Sequence, residues 1–168
     1  MSLSMSKASS AVFVQILKGL HGVLDKAAAH AEAHKIDPAA LLQARLYPDM
    51  FPFTRQVQIC CDFAKGSAGR LAGADLPAYA DDEATFDDLK ARVNKTIAFI
   101  EGLDAAAIDA AADKDIPLVR RGETTIHKGE VYLLQQALPN FYFHATTAYD
   151  ILRHNGVPVG KRDFLGAA

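Results

Sequence analysis

Asn140 and His144 stand four residues apart in the last long apolar stretch of the chain, which runs from Pro139 to Gly156. Residues at that spacing share one face of a helix, so their side chains can converge on one ligand. Two histidines so placed can share a transition metal, but an asparagine is a poor replacement for either. A single imidazole is not a metal site. The pair therefore reads as a polar pocket that holds water or a small polar ligand, with each side chain satisfying the other. A divalent metal, zinc or nickel, on His144 is the alternative. A neutral histidine is also a sensible general base near pH 7, so His144 is the candidate catalytic residue if there is a reaction, with Asp49 or a second histidine assisting.

Other residues join this pocket or imitate a site. Cys60 falls on the inward side of the second long helix, one turn after Gln56, and can reach the same cavity. A buried cysteine ordinarily acts as a small hydrophobe, and no neighbouring base is evident to activate it. Arg45 and Asp49 lie four apart around a helix break, where an ion pair could fix the pocket entrance. A routine surface pair, which would contribute little, is an equal reading. His30 and His34 have metal spacing too, but imidazoles also suit a helix C-terminus. His21 and His127 have no evident partner. Tyr142, Phe143, Tyr149, Phe51 and Phe53 read as core. Gly156 to Arg162 has the wrong glycine spacing for a phosphate loop and follows a helix. Asp109, Asp113 and Asp115 lack the glycine and terminal glutamate of a calcium loop.

The elements that position these residues follow from apolar periodicity. Val12, Phe13, Ile16, Leu20, Val23, Leu24, Ala27 and Ala31 predict a first helix over Ala8 to His34, capped by Ser9 or Ser10. Asp37 and Pro38 are the N-cap and first residue of a short helix to Arg45. Pro48 and Pro52 interrupt the chain. The main second helix then runs to about Leu71, with Phe53, Gln56 or Val57, Cys60, Phe63 or Ala64, and Ser67 facing inward. Gly66, Gly69 and Gly73 are expected to loosen its end. After a loop, Thr85 caps a third helix carrying Phe86, Leu89, Val93, Ile97 and Ile100, and Asp104 caps a short one.

Ile116 to Val119 and Thr124 to Ile126 are β-prone and predict a hairpin that leans on the helices. Gly129 opens the last helical region. Pro139 kinks or breaks it, and Gly156 ends it. Asn140, His144, Thr147 and Ile151 form its expected inward stripe, and a short irregular tail follows. This is one all-α domain over 1–168, a four-helix bundle with short extra helices and a small β-hairpin before the last helix.

Bulk properties narrow the function classes. Eighteen basic and twenty acidic residues give a formal charge of −2 in 168 residues. That balance makes no electrostatic case for nucleic acid or an anionic membrane. The only cysteines, Cys60 and Cys61, are adjacent and make no disulfide framework. The first residues lack the pattern of a signal peptide, and no stretch approaches a membrane span, so the cytoplasm is the expected location.

The chain resembles the DinB/YfiT-like superfamily of bacterial four-helix bundles, and more closely an uncharacterised branch of it. Arg45 to Gln56, Asn140 to His144, Ala148 to Gly156 and Gly160 to Gly166 carry the resemblance, which spans nearly the whole chain. Metal-binding members use one histidine on the second helix and two, four apart, on the last. Counted back from Leu152, Arg153 and Gly156, His144 matches the second of that pair and Asn140 the first. Gln56 matches the histidine of the second helix. Two of three ligands are thus replaced by amides, which bind transition metals far more weakly than imidazole. The resemblance implies a degenerate metal site, a role in binding or structure, and a homodimer. Its enzymatic relatives imply the alternative, a metal-dependent hydrolase or thiol S-transferase using His144.

Overall fold

A computed structural model describes residues 3–120 and 122–166, apart from the Arg120 side chain. The leader reading at Met1 and Ser2, the turn residue Arg121 and the last two residues of the tail lie outside the described part. In chain order the elements are α1 (Met5–Ala8), α2 (Ser10–His34), α3 (Pro38–Leu42), α4 (Phe53–Ala72), α5 (Phe86–Glu101) and α6 (Ala105–Asp109). Then come β1 (Asp115–Arg120), β2 (Glu123–Lys128), α7 (Gly129–Tyr132), a π-helical turn (Leu133–Ala137), α8 (Leu138–His154) and α9 (Lys161–Phe164). Helices α2, α4, α5 and α8 form the bundle: α4 packs against both α8 and α5, and α2 packs against α5 and α8. The strands pair antiparallel, with Asp115 opposite Lys128 and Arg120 opposite Glu123.

Local chemistry sets most boundaries. Asp37 accepts from the Ala39 N–H at the start of α3, with Pro38 in its first turn. Thr85 and Asp88 form a reciprocal capping box on α5. Asp104 caps α6 through the Ala106 N–H at 2.9 Å. The start of the first helix differs from expectation. Ser4 caps α1, and Ser9 donates to the Met5 carbonyl at 2.7 Å, so neither Ser9 nor Ser10 caps α2 with its side chain. The short helix α3 stops at Leu42, three residues before Arg45.

The glycines of α4 do not loosen it. The helix runs through Gly66 and Gly69 and ends at Gly73, whose φ of 70° is the left-handed cap geometry that glycine adopts without strain. A Cβ on Gly69 would come within 2.4 Å of the Leu76 side chain, so this glycine admits the chain that follows the helix. The tail is also more ordered than expected. Val157 and Val159 are fully buried, and α9 packs on α2, where a Cβ on Gly19 would meet the Phe164 carbonyl.

Phe13, Leu17, Leu24, Phe53, Val57, Leu71, Leu89, Phe141 and Ile151 are all within the core. Phe13 and Phe141 meet edge to face, with centroids 4.8 Å apart, tying α2 to α8. On α8 the deepest stripe is Phe141, Ala145, Ala148, Ile151 and Leu152. Asn140 and His144 are therefore one position around the helix from its centre, at the flank of the packed face. Phe51 and Phe143 are more than half exposed and Tyr142 is also exposed, against the core reading for these three, whereas Phe53 is buried and Tyr149 partly so.

Candidate functional site

Helix α4 delivers Gln56 to the bundle interior because Phe53, Val57 and Cys60 on the same side bury the face that carries it. Gln56 itself is 1% exposed. Its amide nitrogen donates to the Phe51 carbonyl at 3.2 Å, in the segment just before the helix. That bond turns the amide oxygen toward α8, where it lies 2.7 Å from Nδ1 of His144. An amide oxygen only accepts, so Nδ1 carries the proton and Nε2 keeps its lone pair. The three groups form a directional relay, from the imidazole N–H through Gln56 to the Phe51 carbonyl.

The half-buried imidazole is also held by rings. Phe63 stacks on it at 5.8 Å between centroids and Phe143 meets it edge-on at 5.2 Å. Burial, and secondarily the positive charge of Arg55, hold its pKa below the ordinary value. The imidazole is neutral at pH 7, which makes Nε2 a competent hydrogen-bond acceptor or base.

Among the described residues, the expected pocket residues joined to each other by a hydrogen bond are Gln56 and His144. The Asn140 amide nitrogen instead donates to the Gln136 carbonyl at 2.6 Å, within its own helical region. Gln136 belongs to the π-helical turn, a widened turn just upstream of Pro139, whose nitrogen cannot donate. Arg45 donates to the Met50 carbonyl, and among the described residues no Arg45–Asp49 ion pair forms. Cys60 is fully buried, and burial followed by the neighbouring Cys61 pushes its thiol well up. Burial likewise raises Cys61 to about 12. Neither thiol is a nucleophile at neutral pH. His30 and His34 lie ring against ring at 4.2 Å, with His34 Nδ1 on the His30 carbonyl. His21 is paired after all, with Asp25 at 3.2 Å.

The donors offer a transition metal a single strong ligand, the His144 imidazole, which falls short of a metal site. Two ligands on one zinc, each bonded at about 2.1 Å, are roughly 3.3 Å apart. His144 Nδ1 and Gln56 Oε1 are in direct hydrogen-bond contact at 2.7 Å, so these two atoms do not share an ion, and Nε2 is the one imidazole nitrogen left to ligate. Asn140 is engaged elsewhere, and no cluster of three or more His, Cys, Asp or Glu side chains suited to a metal occurs among the described residues.

A second polar constellation went unread in the sequence. Arg92 on α5 has its side chain 1% exposed and reaches Glu83 at 2.8 Å, Asp62 at 3.0 Å and Asp81 at 3.1 Å. It also donates to the Ala80 carbonyl at 2.9 Å. Lys65 joins through Asp62, and Arg55 through Asp81. Burial alone would lower the Arg92 pKa, but Glu83 and Asp62 outweigh it and the net direction is up. The available signal was a charged residue at position 92, within the buried face that carries Leu89, Val93 and Thr96.

This fold is that of a DinB-like helical bundle. Residues 5–165 match the family described as domain of unknown function DUF1993, and the chain belongs to that family. It is similar to the crystal structure of a DinB family member protein from Shewanella denitrificans, with 41% identity and a TM-score of 0.90. That match covers 96% of this chain and 92% of the other. No curated protein matches.

Proposed function

We propose that this DUF1993 protein binds a small polar ligand at His144 without a resident metal. The Phe51–Gln56–His144 relay carries the reading. It fixes one tautomer and presents Nε2 as an acceptor beside two aromatic rings, a surface suited to a hydroxyl, amide or thiol donor on a flat or apolar body. Elemental analysis of untagged protein, paired with His144→Ala, tests the metal-free part. About one divalent ion per chain, lost in the variant, would overturn it.

The depressed His144 pKa supports a second reading, an enzyme of the hydrolase or thiol S-transferase kind with His144 as general base. Thiol turnover that vanishes in His144→Ala, in protein shown to be metal-free, would favour it over binding alone. We further propose a cytoplasmic homodimer. Val131, Leu134, Tyr142 and Phe143 are exposed along the last helical region and could supply an apolar contact face. No helix among the described residues is long and apolar enough to cross a membrane. Sedimentation analysis at micromolar concentration is expected to give twice the monomer mass, and a monomer would remove the dimer from the reading.

A further inference from the structure

A separate cleft lies further along α4, where the hairpin leans on the bundle. It has a volume of about 360 Å³ and is lined by Phe63, Arg70, Pro117, Leu118, Val119 and Tyr132, together with Gln136. That size accommodates a small organic molecule. The lining is mixed: Phe63, Pro117, Leu118 and Val119 bring apolar surface, and Arg70, Tyr132 and Gln136 bring polar atoms. Two of the polar groups meet: Tyr132 Oη lies 3.1 Å from Ser67 Oγ and accepts from Arg70 Nη1 at 3.3 Å.

Arg70 differs from the arginines of the buried network. Among the described residues it has no carboxylate within ion-pair distance, whereas Arg55 and Arg92 each do. It sits in the last turn of α4, yet its guanidinium folds back along the helix and does not reach for the terminal carbonyls. Gly66 makes this possible, because a Cβ there would lie 2.7 Å from Nη1 and 3.6 Å from Cζ. The helix thus gives up a side chain at position 66 and seats a cation in the lining of a cleft. A guanidinium presents five N–H donors in a planar fork that matches a carboxylate.

We propose that this cleft is a binding site for a small organic carboxylate with an apolar body. The carboxylate pairs with Arg70 beside the Tyr132 hydroxyl, and the body packs on Phe63, Pro117 and Leu118. A single guanidinium with one phenol balances a monoanion, while a phosphate dianion would call for further donors. The site stands on residues other than Gln56 and His144. It shares only Phe63 with the His144 site, so the two readings succeed or fail separately.

The test uses benzoate, the neutral isostere benzamide and phenyl phosphate, titrated into full-length protein with detection by amide NMR shifts. Benzoate is expected to shift amides of Phe63, Leu118 and Tyr132, and benzamide to leave them in place. Arg70→Gln should weaken benzoate binding about tenfold or more, the scale of a lost charge-assisted hydrogen bond. Gly66→Ala favours the helix intrinsically while displacing the guanidinium, and should also weaken binding several-fold with the fold intact. No benzoate shifts at millimolar concentration, equal affinity for benzamide, unchanged binding in Arg70→Gln, or tighter binding of phenyl phosphate would each overturn the proposal.

Discussion

The His144 relay and the Arg92 network lie in one bundle and share helix α4, yet they end differently. Around Arg92, three cations, Arg92, Lys65 and Arg55, meet three acids, Asp62, Asp81 and Glu83. Only Nε of the Arg92 guanidinium lacks a partner. Around His144 the chain of donors starts at Nδ1–H and ends on the Phe51 carbonyl, which leaves Nε2 outside it with its lone pair intact. A balanced network has little left to offer a ligand and serves to fix the chain. A relay that leaves a lone pair outside it presents a group ready to act on something else. The difference separates a structural polar cluster from a candidate site without appeal to which residues are more unusual.

The largest expected effect comes from breaking the closed network. Arg92→Met keeps an unbranched side chain but leaves Asp62, Asp81 and Glu83 facing one another. Removing one partner of a buried charge cluster typically costs about 3–5 kcal/mol. The outer acids Asp62 and Asp81 are partly solvated, which places this case near the lower bound, about 3 kcal/mol. Urea unfolding measures it. A loss under 1 kcal/mol would show that solvent screens the cluster and that it does not hold the chain between α4 and α5.

Breaking the relay is expected to cost less and change more chemistry. Gln56→Leu leaves the His144 Nδ1–H and the Phe51 carbonyl without their shared partner, at about 1–3 kcal/mol. The same variant frees the imidazole tautomer. Long-range ¹H–¹⁵N NMR of His144 should show Nδ1–H in the wild type and a tautomer mixture in Gln56→Leu. An Nε2–H wild type would mean that Gln56 Oε1 does not accept from the imidazole, and the relay would be lost.

How much of this was readable beforehand depends on where the partners sit in the chain. Gln56, Asn140 and His144 all lie on long helices, and helical spacing alone selects them. Spacing does not fix rotation to one residue, so Asn140 was placed facing His144 when it bonds its own helical region. The π-helical turn upstream of Pro139 shifts the helix phase there, and no apolar pattern announces it. The Arg92 network drew on Asp81 and Glu83, in a loop with no periodicity to read. Its one local sign was an arginine among Leu89, Val93 and Thr96. The caps at Asp37, Thr85 and Asp104 were legible because each is a contact within a few residues. The docking of the tail through Val157, Val159 and Gly19 was not, because it joins opposite ends of the sequence.

Titration sharpens the comparison by a smaller effect. The His144 pKa is depressed in the folded state below its ordinary 6.5. The unfolded chain therefore binds the proton first as pH falls. Stability is full above about pH 6.5 and declines from there down to the folded-state pKa, where the loss levels off. Urea midpoints measured between pH 7.5 and pH 5 should fall more steeply for wild type than for His144→Gln. Parallel curves would mean that the imidazole is solvated and that its neutrality is not imposed by the fold.

The smallest effect concerns the rim of the closed network, where Tyr79 lies between the two regimes. The ammonium groups of Lys65 and Lys95 are each 3.8 Å from the centroid of its ring, and Arg92 is 5.6 Å away. The phenol makes a long contact, 3.5 Å, to the Lys95 carbonyl. If the ring's negative face is what matters, Tyr79→Phe should change little, since it keeps that face. Tyr79→Leu should lose about 1 kcal/mol relative to Phe, the scale of cation–π contacts at partly exposed positions. If Phe and Leu cost the same, the ring acts only as apolar cover. The two lysines would then be held by Asp62 and by solvent, and the network would end at its carboxylates.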